Sequence, residues 1–140
     1  MVSAQINYVR IDHNLFMGSE KGMVIHVGFD VQGMAGQHGK VAAYFNYWQG
    51  GPLKDFDRQY TSEDGHVSVG TDFMPNFDLT NYPDVQLFMP YRQLEMGPGV
   101  VSLMCQVVIW YTSSVVPQRL ATSTWNQFYY EQPGIQVTSA

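Results

Sequence analysis

The chain has 140 residues, of which 14% are charged and 14% aromatic, and its net charge is −5. That length buries a self-sufficient core without metals or disulfides. The acidic balance and scattered Lys and Arg exclude non-specific nucleic-acid or anionic-membrane binding, and no run approaches the ~18 apolar residues of a spanning helix. The light charge leaves rings and methionines available for partners (8 Met, 9 Tyr, 8 Phe and 3 Trp).

The first predicted strand is Ile6–Ile11, followed by a turn-rich stretch over His13–Gly22. Met23–Gln32 carries the clearest signal: Met23, Ile25, Val27, Phe29 and Val31 alternate with Val24, His26, Gly28, Asp30 and Gln32. Period-two alternation over nine residues, Met23–Val31, marks a strand with one buried and one wet face. A glycine-rich turn, Gly33–Gly39, leads to a strand over Lys40–Trp48, with Val41, Ala43, Phe45 and Tyr47 on one side. Gln49–Gly65 is a long excursion closed by the turn dipeptide Asp64-Gly65. His66–Gly70 is a short strand with Val67 and Val69 inward. Met74–Asp84, with Pro75 and Pro83, crosses between sheets, and Val85–Met89 is a strand stopped by Pro90. Tyr91–Gly99 is a polar turn. Val100–Thr112 is the longest run, then a last strand lies near Leu120–Tyr130. The tail, residues 131–140, is loose or adds one edge strand. Seven to eight strands with turns every 8–12 residues predict one domain over 1–140, an all-β antiparallel two-sheet β-sandwich, immunoglobulin-like or C2-like. A closed barrel is the second choice.

The candidate chemistries are sparse. Cys105 lies among Val101, Leu103, Val107 and Ile109 on one strand face, where a thiol is buried and inert rather than nucleophilic. Gly33–Lys40 resembles a phosphate loop, but its spacing is one residue too long and a strand, not a helix, follows. His26 and Asp30 share a strand face about 13 Å apart at ~3.3 Å per residue, too far for a direct pair. Asp55, Asp57 and Asp64 belong to an acidic loop that starts like a calcium site, yet Tyr60 and His66 stand where glycine and glutamate belong. A calcium-dependent ligand or lipid binder is therefore an alternative, and a solvated acidic loop is the simpler reading. Trp48, Tyr44 and Trp110 suggest a second alternative, a glycan platform of exposed rings. Trp125, Phe128, Tyr129 and Tyr130 gather in the last strand and form the candidate protein interface.

Three strings, HNLFMGSEKGMVIHVGFDVQGMAGQHGKVAAYF, TSEDGHVSVG and YPDVQLFMPYRQLEMGPG, resemble as a set a small β-sandwich module of bacterial proteins with no assigned function. The pieces that carry the resemblance are Gly22-Met23-x-Ile25-His26-Val27 and Phe88-Met89-Pro90-Tyr91, and it covers about residues 8–111. It implies a sandwich with an accessory or interaction role and transfers no functional residues.

The expectation is a non-catalytic module for protein–protein interaction or self-assembly, by burial of an aromatic and methionine patch or by strand addition at a sheet edge. No cofactor and no membrane insertion are expected. Met1–Ile11 is too short and polar for a signal peptide, and the lone cysteine forms no internal disulfide, which sets an expectation of a cytoplasmic location.

Overall fold

The alternation of Met23–Val31 is realised in strand β2 (Glu20–Gln32), whose Met23, Ile25, Val27, Phe29 and Val31 side chains are at most 1% exposed. The fold is taken from a computed structural model that describes residues 2–47, 68–91, 99–132 and 136–139. β2 lies between β1 (Ser3–Met17) and β5 (Leu79–Pro90), antiparallel to both. The second sheet is centred on β3 (Gly39–Tyr47) and β6 (Gly99–Tyr111), with β4 (Ser68–Phe73) beyond β3. On the far side of β6, β7 (Gln118–Thr122) pairs with one end and β8 (Asn126–Gln132) with the other. β9 (Gln136–Ser139) then pairs with β8.

Nine strand segments thus occupy eight positions among the described residues, because β7 and β8 share one flank of β6. The order β1-β2-β5 against β3-β6-β7/β8 is that of an immunoglobulin-like sandwich, with the fourth strand on the β3 edge. The two sheets meet through β2 and β5 on one side and β3 and β6 on the other. Val41, Ala43, Phe45, Leu87, Met89, Leu103, Cys105, Val107 and Ile109 join the five β2 residues in one buried cluster. Met34 closes the cluster at one end and Tyr91 at the other, both at most 1% exposed. Each large apolar side chain so buried contributes about 2 kcal/mol.

Four expectations about the strands need correction. β1 does not stop at Ile11: it runs through the polar stretch to Met17 and turns only at Gly18-Ser19. A bulge between Asp12 and Leu15, with Asn14 at φ +62°, absorbs the irregular residues and lets the ladder resume. β5 begins at Leu79, so Met74–Asp78 alone makes the crossing. Pro83 is tolerated inside β5 because it sits on an edge strand at a bulge opposite Gly28. The last strand is broken at Ser123–Trp125. There the Ser123 hydroxyl accepts from Val107 N–H at 2.9 Å, and Ser123 N–H donates to the Val107 carbonyl at 2.8 Å. Finally, the second face of β2 is not wet at its centre, since His26 is only 7% exposed and Gly28 is buried. Trp48, the 49–65 excursion with Asp55, Asp57 and Asp64, His66 and Val67, and residues 92–98 lie outside the described residues.

Candidate functional site

Two places gather polar or apolar groups in ways the core does not require. The first is the outer face of the three-stranded sheet. His26, on the central strand, has Asp84 Oδ1 2.8 Å from Nδ1 and Asp12 Oδ2 3.0 Å from Nε2. The three residues come from three neighbouring strands: Arg10 and Gln86 lie opposite His26, so Asp12 and Asp84, each two residues along its strand, share the histidine's face as diagonal neighbours. A carboxylate only accepts, so both contacts are hydrogen bonds when both ring nitrogens carry protons. Arg10 stands 3.6 Å from Asp12, and Gln86 donates to Asp84 at 3.0 Å. The bonds from His26 and then Gln86 hold the Asp84 carboxyl below its ordinary value. Next along the sheet, the Tyr8 ring covers Gly28, where a Cβ would sit 2.1 Å from the ring, and the Tyr8 hydroxyl donates to the Pro83 carbonyl at 2.5 Å. Beyond it, Asp30 accepts from Asn7 at 3.3 Å and from Asn81 at 2.6 Å. Each bridge runs from β1 over β2 to β5.

The second place is the end of the sandwich where β2 turns into β3, β4 into β5 and β6 into β7. Gly33 and Gly36, at φ +79° and +72°, let the 33–38 loop fold tightly over Met34. Gly33 N–H donates to Asp78 O and Gly36 N–H to Pro75 O, both at 2.8 Å, tying this loop to 74–78. On the other side, Thr112 N–H donates to His38 O at 3.0 Å and His38 N–H to Ser113 Oγ at 2.6 Å. The Tyr111 hydroxyl also bonds Gln37. The three loops therefore brace one another. On this frame stand Phe77 and Leu79, 71% and 68% exposed, with Met74, Val115 and Val116 also open to solvent. Apolar side chains presented by braced loops form a preorganised contact surface.

The residues singled out in the sequence fall in different places. Trp125 stands 36% exposed at the break between β7 and β8. Phe128, Tyr129 and Tyr130 lie in β8, opposite Leu103, Ser102 and Val101 of β6. A groove of about 350 Å³ opens beside this edge, between Ile6–Val9 of β1 and Ala121–Thr124 with Asn126. Tyr44 and Trp110 do meet, but Trp110 Nε1–H donates to the Tyr44 hydroxyl at 2.9 Å and Arg119 covers the indole at 5.3 Å. Cys105 is fully buried and desolvation pushes its thiol up to about 12, in keeping with an inert core residue. Asp30 does not approach His26 as a partner and instead bonds the two asparagines. Among the described residues no three His, Cys, Asp or Glu side chains are placed to hold a metal ion. Sequence reasoning missed Asp12 and Asp84 because only the strand register makes them diagonal neighbours of His26. It also missed the loop-end residues, whose only signal is apolar character inside turn segments, Met74-Pro75-Asn76-Phe77 and Ser114-Val115-Val116-Pro117.

No family model matches the chain, and no curated protein matches it. Among solved structures, the fold is similar to a bacterial adhesin from Mobiluncus mulieris containing intramolecular disulfide, isopeptide and ester bond cross-links. The TM-score is 0.45 at 11% identity, over 99% of this chain and 56% of that one. The chain thus spans little more than half the length of that adhesin. The expectation of a cytoplasmic location is withdrawn. Its cysteine argument fails on physical grounds: Cys105 is walled into the core, so its lack of a disulfide follows from packing whatever the compartment.

Proposed function

We propose that this chain is a non-catalytic interaction module that docks a second copy of itself through the loop end. The observation that carries the reading is the exposure of Phe77, Leu79, Met74, Val115 and Val116 on two connections, each tied by hydrogen bonds to the 33–38 loop between them. Burying a large apolar side chain is worth about 1.5–3 kcal/mol, and loops already held in place pay little further ordering cost on contact. A net charge of −5 on each chain opposes association only weakly at physiological salt.

Light scattering across a concentration range tests it. The expected result is a mass rising from one chain to two, with the midpoint moved at least about tenfold upward by Phe77→Ser with Val115→Ser. A mass of one chain throughout, or a dimer indifferent to both substitutions, overturns the reading. The aromatic edge is a second proposed contact, favoured by the exposure of Trp125 just before β8, whose partner β9 is the outer strand of the sheet among the described residues. With Phe128, Tyr129 and Tyr130 it would support strand addition along β9. Trp125→Ala then weakens association while Phe77→Ser does not. Glycan stacking has less support, since Trp110 already spends its N–H on Tyr44 and its ring on Arg119.

A further inference from the structure

The geometry of the outer sheet face points to a device in β1. We propose that β1 is a proton-released strand: the Asp12–His26–Asp84 and Asn7–Asp30–Asn81 bridges hold it while their carboxylates are ionised, and acidification frees it before the rest of the sandwich opens. The inference is independent of the loop-end contact.

Among the described residues β1 is an edge strand hydrogen-bonded in the sheet to β2, and its apolar residues Ala4, Ile6, Val9 and Ile11 are only partly buried. Every other long strand places fully buried side chains in the core. Beyond its ladder to β2, the attachment of β1 therefore leans on its outer-face bridges; two of them turn on a carboxylate, and the third, from the Tyr8 hydroxyl to the Pro83 carbonyl, does not. The titratable and charged groups facing His26 are Tyr8, Arg10 and Asp12 from β1 and Asp84 from β5, with Asp30 four residues along β2 itself. When Asp12 and Asp84 take up protons, each still offers a carbonyl oxygen to the His26 ring, but the ion pair is lost and only the donor side remains charged, so the bonds weaken. Protonated Asp30 is weakened as an acceptor for Asn7 and Asn81 in the same way. Asp12 and Asp84 are partly exposed, so water competes for the bonds and each counts for less than a buried pair. Lifting β1 bares the backbone edge of β2, a pairing template that the intact fold covers.

His13 also sits on β1, stacked on Tyr91, and burial lowers its pKa, but it touches only the end of the strand near the second bulge. Its contribution is separated from that of the carboxylates by substitution.

Amide hydrogen exchange of the full chain, from neutral pH to about pH 3 and corrected for the intrinsic pH dependence of exchange, tests the proposal. The expected result is opening of the Ser3–Met17 amides that rises at least about tenfold relative to the Gly39–Tyr47 amides as pH falls through the carboxylate range. Asp12→Asn with Asp84→Asn already opens β1 at neutral pH and flattens that step, and His13→Gln leaves the step in place. Asp30→Asn is the milder variant and removes part of it. Loss of protection in β1 and β3 together, or an unchanged pH profile in the Asp12 and Asp84 double variant, overturns the proposal.

Discussion

β1 and β6 are of similar length, 15 and 13 residues, yet they are held by different physics. β6 has β3 on one side and β7 and β8 on the other, and its Leu103, Cys105, Val107 and Ile109 are fully buried. Among the described residues β1 has one hydrogen-bonded strand partner, no fully buried side chain, and a set of polar bridges on the sheet's outer face. Apolar burial does not depend on pH and is lost only when the core opens. Polar bridges depend on protonation and can fail locally. The comparison says that stability in this sandwich is uneven, with a cooperative centre and one conditional edge.

The strongest way to break the comparison is to damage both strands and find equal effects. Leu103→Ala on β6 should cost about 2–5 kcal/mol in urea unfolding, with every probe shifting together. Phe16→Ser on β1 removes a side chain already 69% exposed and should stay within about 0.5 kcal/mol. The two glycines of β2 sharpen the contrast at smaller scale. A Cβ at Gly22 would meet the backbone oxygen of Met89 at 2.3 Å, which cannot move without shifting β5, so Gly22→Ala should cost about 1–3 kcal/mol globally. At Gly28 the obstacle is the Tyr8 ring, a side chain 40% exposed that can swing away. Gly28→Ala should cost less, and amide exchange should place the damage in β1 rather than β3. A global loss at Gly28 equal to that at Gly22 would mean β1 is as much a part of the cooperative core as β6.

How much of this was legible in the sequence depends on what kind of force holds each part. The sandwich class and the inward faces of β2, β3 and β6 follow from period-two alternation, because burial in a sheet imposes that period directly. The inertness of Cys105 follows from the same pattern. The ends of β1 and β5 were not legible: the polar residues 12–14 and Pro83 read as turn, whereas bulges let the ladder carry them. The Asp12–His26–Asp84 bridge was hidden by register, since each carboxylate lies two residues from the position opposite His26. Its members are distant in sequence, and a one-residue change of register decides whether their side chains meet. At the loop end, Phe77 and Val115 read as chance apolar residues in turns, since only the three-dimensional arrangement puts their loops together.

Cys105 offers a direct reading of the centre. With its thiol pushed up to about 12 and no exposed surface, it should be unreactive toward a disulfide reagent near pH 8 until the protein unfolds globally. Labelling at the rate of β1 amide opening would show that freeing the edge also opens the core, and the two regions would then be one unit.

The smallest expected effect is at His13, and it tests the edge from the other side. Burial lowers the pKa of His13, and its Nδ1 lies 3.1 Å from a Tyr91 hydroxyl that already accepts from Asn14 N–H at 2.9 Å. The hydroxyl proton is thus available to the neutral ring, and a protonated ring would set two donors against each other. A group whose folded pKa is depressed contributes stability above its unfolded value and loses it as pH falls through the folded one. The expected outcome in an NMR titration is a His13 ring that protonates at lower pH than free histidine, while Cys105 and its β6 neighbours keep their shifts. His13→Gln should remove this pH dependence from the end of β1 and leave β6 untouched, because His13 contacts the edge strand's end and β6 is held by buried apolar side chains.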